Sequence, residues 1–160
     1  YITGDFDVRA EGCKKTLCSA ASNIGFGDIT RQGMPFYGGN IKYYAKIKIP
    51  EDCDFIVNIG KYAGALTEVK LDERESEKVV FAPYNVKIKN VSKGEHMLEF
   101  TFYGNRYNTF GALHNCGDSL WFGSNYWYSS GNAWCYEYNT KPTGILKSPV
   151  ITMLKGQKND

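Results

Sequence analysis

Ile41-Lys42-Tyr43-Tyr44-Ala45-Lys46-Ile47-Lys48-Ile49 is the stretch whose reading decides the fold. Taken alternately, Ile41, Tyr43, Ala45, Ile47 and Ile49 fall on one side, while Lys42, Lys46 and Lys48 fall on the other. A strand with one face in a core and the other in water requires this period of two. The same alternation recurs at Phe55-Ile56-Val57-Asn58-Ile59, over residues 67–71, at Val86-Lys87-Ile88 and at Leu98-Glu99-Phe100-Thr101-Phe102. Turn-forming residues separate these runs: Pro50-Glu51-Asp52, residues 60–64, the charged residues 72–78, and Lys93-Gly94-Glu95. No segment longer than about ten residues holds a helical period, so a short helical turn fits only over residues 15–21. Many short strands with regular turn signals predict an all-β sandwich or barrel.

A chain of 160 residues is long enough to bury roughly two-thirds of its unfolded surface in one core. We expect a single domain over residues 1–154 and a polar tail or linker over 155–160. With Lys+Arg 19 against Asp+Glu 17, the net charge is +2, and the lysines are scattered rather than clustered. That distribution excludes nucleic acid and anionic membrane as expected partners. No apolar run approaches the roughly 18 residues of a membrane span. A sequence opening on Tyr1 without Met reads as a piece of a larger chain, with any export signal upstream.

The five cysteines, Cys13, Cys18, Cys53, Cys116 and Cys135, include no C-x-x-C pair, and their odd number argues against a zinc ribbon or a complete disulfide framework. Cys13 and Cys18 are read either as a bridge across a hairpin or, more blandly, as buried free thiols. The redox compartment stays open.

Aromatic residues make up 15% of the chain, and the surplus is concentrated. Residues 103–139 hold eleven aromatics, all three tryptophans among them, beside only Arg106, Asp118 and Glu137 as charged residues. A sugar offers an apolar C–H face and a fringe of hydroxyls, so its site needs flat rings with hydrogen-bonding groups at the rim. Trp121, Tyr126, Trp127 and Trp134 are the candidate stacking residues, and Asp118 and Asn125 the candidate hydrogen-bonding residues. Tyr128, Ser124, Ser129, Ser130 and Asn132 are interleaved with them. The competing readings are a satellite core under a long loop and a contact surface for a neighbouring module.

Catalysis finds little support. Only His96 and His114 are present, and no serine lies in a G-x-S-x-G motif, so no nucleophile and base are legible. Asp118 and Glu137 are the one carboxylate pair of the aromatic segment to weigh as glycosidase acids, and ordinary loop acids are the plainer reading. His114 is expected to satisfy loop backbone rather than to bind metal. No calcium-loop motif occurs, so no cofactor is expected, and a structural calcium is kept only as a faint alternative. Asn90-Val91-Ser92 fits a glycosylation sequon, a match too short to decide anything.

Five strings, in order, carry a resemblance over residues 33–150. They are Gln32-Gly33-Met34-Pro35-Phe36-Tyr37-Gly38-Gly39 followed by Tyr43, Phe81-Ala82-Pro83-Tyr84-Asn85-Val86-Lys87-Ile88, Lys93-Gly94-Glu95-His96-Met97-Leu98-Glu99-Phe100, Asn108-Thr109-Phe110-Gly111-Ala112-Leu113-His114-Asn115 and Pro142-Thr143-Gly144-Ile145-Leu146-Lys147-Ser148-Pro149-Val150. Together they resemble the galactose-binding-like, sugar-binding-domain-like sandwiches attached to glycoside hydrolases, those of the β-galactosidase and β-glucuronidase family and of α-L-rhamnosidase-like enzymes. The chain departs from that pattern in three places. Asp72-Glu73-Arg74 replaces an Asn-Gly turn, Lys87 stands where the family has Asp, and His114 is left alone where the family has a His-His pair.

The resemblance implies a jelly-roll β-sandwich of about eight to ten antiparallel strands that packs on a catalytic module and sometimes touches substrate, with the catalytic acids elsewhere in the parent chain. The function expected on these grounds is a non-catalytic accessory domain of a larger glycoside hydrolase. Its partners would be carbohydrate, the catalytic module of the same parent, or both. The alternatives are a purely structural interdomain module and a small standalone glycan-active enzyme using Asp118 and Glu137.

Overall fold

A computed structural model describes residues 4–21, 23–116, 127 and 129–154. Trp121, Tyr126, Asp118 and Asn125 lie outside the described residues, as does the expected tail at 155–160. Among the described residues there are eleven strands: β1 (Phe6–Glu11), β2 (Lys14–Ser19), β3 (Ile41–Ile49), β4 (Cys53–Asn58), β5 (Tyr62–Ala63), β6 (Leu66–Leu71), β7 (Glu77–Val79), β8 (Asn85–Val91), β9 (Gly94–Tyr103), β10 (Gly144–Ile145) and β11 (Val150–Leu154). One helical turn, α1 (Tyr107–Phe110), follows β9, and a 3-10 turn occupies Ile29–Arg31. Every pairing is antiparallel. The strands form a four-stranded sheet in the order β3-β9-β6-β7, a three-stranded sheet β11-β4-β8, and the two-stranded pairs β1-β2 and β10-β5.

The two larger sheets share one apolar interior, as alternation demands. In β3, Tyr43 and Ile49 are buried, while Lys42, Lys46 and Lys48 are exposed. In β9, Leu98, Phe100 and Phe102 are buried in turn. They meet Val69 and Leu71 of β6, and Phe55, Val57, Val86, Ile88 and Val91 of the opposite sheet, in one cluster. This is the arrangement of a β-sandwich, with each sheet contributing alternate residues to the space between.

The alternation of β8 breaks at Asn90, and the break is structural. Phe55 pairs with Ile88 and Cys53 with Val91, so β8 carries one more residue than β4 over this interval. Asn90 takes up the excess at φ 53°, its N–H donating to Asp54 Oδ1 at 3.0 Å. A bulge of one residue returns Val91 to the inner face, where it is 1% exposed. Asparagine is among the few residues that enter the left-handed region at small cost.

Two expectations are corrected near the N-terminus. Residues 15–21 make no helical turn: Lys14–Ser19 is β2, paired with β1 in the register Glu11↔Lys14 to Phe6↔Ser19. Gly12, at φ 57°, turns the chain in a two-residue hairpin loop, and the ladder to β1 then overrides six residues of weak helical preference. Cys13 sits in that loop and Cys18 lies along β2 on the same arm of the hairpin. Five residues of strand span roughly 16 Å, so these two cysteines cannot bridge without unmaking the hairpin. Nor are the cysteines buried: Cys13 and Cys116 are exposed, and Cys18, Cys53 and Cys135 are half-buried. The charged residues 72–78 also do more than turn the chain, because Glu77–Val79 adds a short edge strand against β6.

The segment before β3 closes one end of the sandwich. Phe26 stacks on Tyr43 at 5.0 Å and meets Phe100 edge-on at 5.7 Å. The Gly27 and Ile29 N–H groups donate to Ile145 and Thr143 carbonyls at 2.8 and 2.9 Å. Asp28 Oδ1 accepts from both Thr30 N and Thr143 N. The C-terminal part of the chain is thus pinned beside residues 27–29.

Candidate functional site

Beyond β9 the chain leaves the sheets and builds the aromatic region. Its exit depends on close backbone approach: a Cβ on Gly104 would lie 2.4 Å from the Gly39 carbonyl oxygen. Asn108 of α1, 2% exposed, then ties the segment to the C-terminal part. Its Nδ2 donates to the Lys141 carbonyl at 2.7 Å and to Thr143 Oγ1 at 3.0 Å, while its Oδ1 accepts from Lys141 N at 2.8 Å. Ala112 and Leu113 are buried behind it.

From this base two chain segments run side by side. Asn115 bridges Trp134 in antiparallel fashion. The Cys116 N–H donates to the Ala133 carbonyl at 2.9 Å, and the Cys135 N–H to the His114 carbonyl at 2.7 Å. The pairing sets rings in a row. Phe36 meets Tyr138 edge-on at 5.2 Å, Tyr138 meets His114 at 4.5 Å, His114 meets Trp134 at 5.5 Å, and Trp134 meets Tyr136 edge-on at 4.5 Å. Lys15, on β2, caps Tyr138: its ammonium donates to the phenol oxygen and lies 4.6 Å from the ring centroid, within range of a cation–π contact.

The row runs from a sheltered end to an open one. Phe36, Tyr138, His114 and Trp134 are half-buried, whereas Tyr136, which ends the row, is 73% exposed; Trp127 and Phe110 are exposed as well. Single exposed aromatics are ordinary, but Tyr136 is an exposed ring at the end of a packed row, a flat apolar face available for contact. His114 is spent on structure. Its Nδ1 faces the Cys135 and Glu137 carbonyls at 3.0 and 3.1 Å, so that nitrogen carries the proton and donates, the role expected for it. Glu137 is exposed, and its backbone is what the site uses.

Of the residues singled out from sequence, Trp134 joins the ring row and Trp127 is exposed. Trp121, Tyr126, Asp118 and Asn125 lie outside the described residues. The row is not legible in the sequence, because Phe36 and Lys15 come from segments far from Trp134, Tyr136 and Tyr138. The only available signal was alternation in Trp134-Cys135-Tyr136-Glu137-Tyr138, where three rings recur at every second position.

Beside Tyr138 lies a polar cleft of about 640 Å³, walled by β1 and by residues 28–35. Its carboxylates are largely committed to backbone: Asp7 Oδ2 accepts from Ala21 N at 2.5 Å, and Asp28 is bonded as described above. Among the described residues no group of three His, Cys, Asp or Glu side chains is placed to hold a metal ion.

No family model matches the sequence, and no curated protein matches it. Among solved structures the chain is similar to a GH2 beta-galacturonidase from Eisenbergiella tayi bound to glycerol, at 18% identity and a TM-score of 0.48, covering 95% of this chain and 23% of that one. A structure of a GH2 beta-galacturonidase from the same organism bound to galacturonate gives 17% identity, a TM-score of 0.47, and coverage of 95% and 23%. The chain therefore spans about a quarter of the length of those enzymes.

Proposed function

We propose that the chain is a non-catalytic accessory module of a larger glycoside hydrolase, which holds glycan against its aromatic region while the catalytic module of the same parent carries the acids. The observation that carries this reading is the ring row opening from half-buried Trp134 onto Tyr136, 73% exposed. A sugar ring laid on Tyr136 or Trp127 loses water from its apolar face at little conformational cost to the protein, because aromatic side chains have few torsions to freeze. The polar cleft beside Tyr138 offers hydroxyl partners. Asp118, Asn125, Trp121 and Tyr126 are proposed to complete the site, being the neutral or acidic groups and rings of the same segment. The sequence strings resembling sugar-binding-domain-like sandwiches support the parent assignment.

Titration calorimetry against neutral and acidic oligosaccharides tests the reading. Saturable heat that drops at least tenfold in affinity in Tyr136→Ala and Trp127→Ala is the expected result. An unchanged affinity in both variants, or no heat across the panel, would count against a glycan site and favour the purely structural alternative, in which the same rings meet a neighbouring module. Hydrolysis of aryl glycosides that vanishes in Asp118→Asn or Glu137→Gln would overturn the non-catalytic assignment.

A further inference from the structure

We propose that Cys116 and Cys135 form a dithiol pair that closes to a disulfide across the base of the aromatic region, an oxidation site independent of the glycan reading. The Asn115–Trp134 bridge and its two flanking backbone bonds fix the register, so that Cys116 lies opposite Ala133 and Cys135 opposite His114. Cys116 and Cys135 are therefore diagonal neighbours on one side of a two-stranded ladder, roughly 7–8 Å apart at Cα, so the bond closes with a small inward shift of the two segments. The two thiols also feel each other: the neighbouring Cys135 thiol, then burial and the Glu137 carboxylate, raise the Cys116 thiol above its ordinary pKa. The other cysteines have no such company: Cys18 pairs with Asp7 and Cys53 with Val91 across their ladders, and Cys13 occupies a hairpin loop.

The two sulfurs differ in a way that orders the chemistry. Cys116 is exposed and Cys135 half-buried. Cys135 Sγ is held by its neighbours, donating toward the His114 carbonyl at 3.3 Å and accepting from Asn139 Nδ2 at 3.2 Å. Cys116, the exposed thiol, is reached first: having lost its proton to solvent, its thiolate attacks one sulfur of a small disulfide such as glutathione disulfide, forming a mixed disulfide and releasing one glutathione thiolate. Cys135, as thiolate, then attacks Cys116 Sγ and releases the second glutathione. Two protein thiols and one small disulfide become one protein disulfide and two small thiols, so atoms and electrons balance. The bond locks the Asn115–Trp134 bridge, and with it the His114–Trp134 ring contact.

The test is peptide mapping of the full chain after incubation with glutathione disulfide and quenching with iodoacetamide. The expected product is a Cys116–Cys135 linked peptide with two fewer alkylated cysteines than the five of the reduced protein. In Cys135→Ser the link is lost, and Cys116 is recovered as a glutathione adduct. Recovery of Cys116 and Cys135 from the wild-type chain as separate alkylated or separately glutathionylated residues would overturn the proposal, as would linkage of either to Cys13, Cys18 or Cys53.

Discussion

His96 and Asp72 form a pair whose geometry fixes the charge of both. His96 Nδ1 lies 2.7 Å from Asp72 Oδ2, and its Nε2 lies 2.9 Å from the Ser92 carbonyl oxygen. Both ring nitrogens face acceptors, which only the doubly protonated imidazolium can satisfy. Asp72, at φ 50° in the turn after β6, also accepts from the Met97 N–H at 2.8 Å. The pair thus fastens that turn to β9.

This pair makes stability depend on pH in a predictable direction. The Asp72 bond, and then the Ser92 carbonyl, raise the His96 pKa above its ordinary 6.5. The His96 bond, and then the Met97 N–H, lower that of Asp72 below 3.8. His96 binds its proton more tightly folded than unfolded, so its contribution is complete below about pH 6.5 and fades as pH rises through the raised value. The Asp72 contribution is complete above about pH 3.8 and fades as pH falls through the lowered one. Thermal melts from pH 3 to pH 10 should show the wild type losing its advantage over His96→Gln on the alkaline side. A constant difference across that range would show that the imidazolium is not what fastens the turn.

Gly64 is predicted to tolerate no side chain. A Cβ there would lie 2.3 Å from Phe102 Cε2 and 2.6 Å from the Tyr103 carbonyl oxygen. Because Phe102 is fully buried and cannot swing aside, Gly64→Ala should destabilise the fold by about 1–3 kcal/mol. Chemical denaturation, with the slope unchanged and the midpoint lowered, is the measurement.

Asn108 is predicted to hold the aromatic region to the C-terminal part of the chain. Asn108→Ala removes three hydrogen bonds from a buried site, at a cost of about 1–3 kcal/mol. Asn108→Asp keeps the shape but turns the Nδ2 donor into an acceptor facing the Lys141 carbonyl, so it should be no milder. If Asn108→Asp melts like the wild type, the bonds to Lys141 and Thr143 do not stabilise the molecule.

Tryptophan emission should distinguish exposed Trp127 from half-buried Trp134. Trp127 is 62% exposed, and Trp134 is half-buried against His114 and Tyr136. Iodide should therefore quench a fraction of the emission that falls in Trp127→Phe, whereas Trp134→Phe should lower quenching less. An oligosaccharide that binds as proposed should protect the Trp127 fraction. Equal quenching of the wild type and Trp127→Phe would contradict the exposed placement.

Local alternation made the sheets legible because a residue in a strand reports its own face. Lys42, Lys46 and Lys48 point outward in the structure as the sequence pattern requires, and Leu98, Phe100 and Phe102 point inward. The reading failed where a partner strand, rather than the segment, set the conformation. Nothing in residues 15–21 announces a strand until β1 lies beside it, and nothing in Glu77–Val79 does until β6 offers its edge. Asn90 shows the converse: its bulge is invisible without the count of residues on β4.

What this sequence determined alone was the all-β character and the inward face of its alternating runs, because the period of two and the apolar residues that carry it are properties of neighbouring positions. What only the tertiary structure decided was company at a distance: Cys116 beside Cys135, His96 against Asp72, and Phe36, Tyr138, His114, Trp134 and Tyr136 in one row. All but the Trp134–Tyr136 contact join residues well separated in the chain, and their formation depends on strand register and loop closure, which no local pattern encodes.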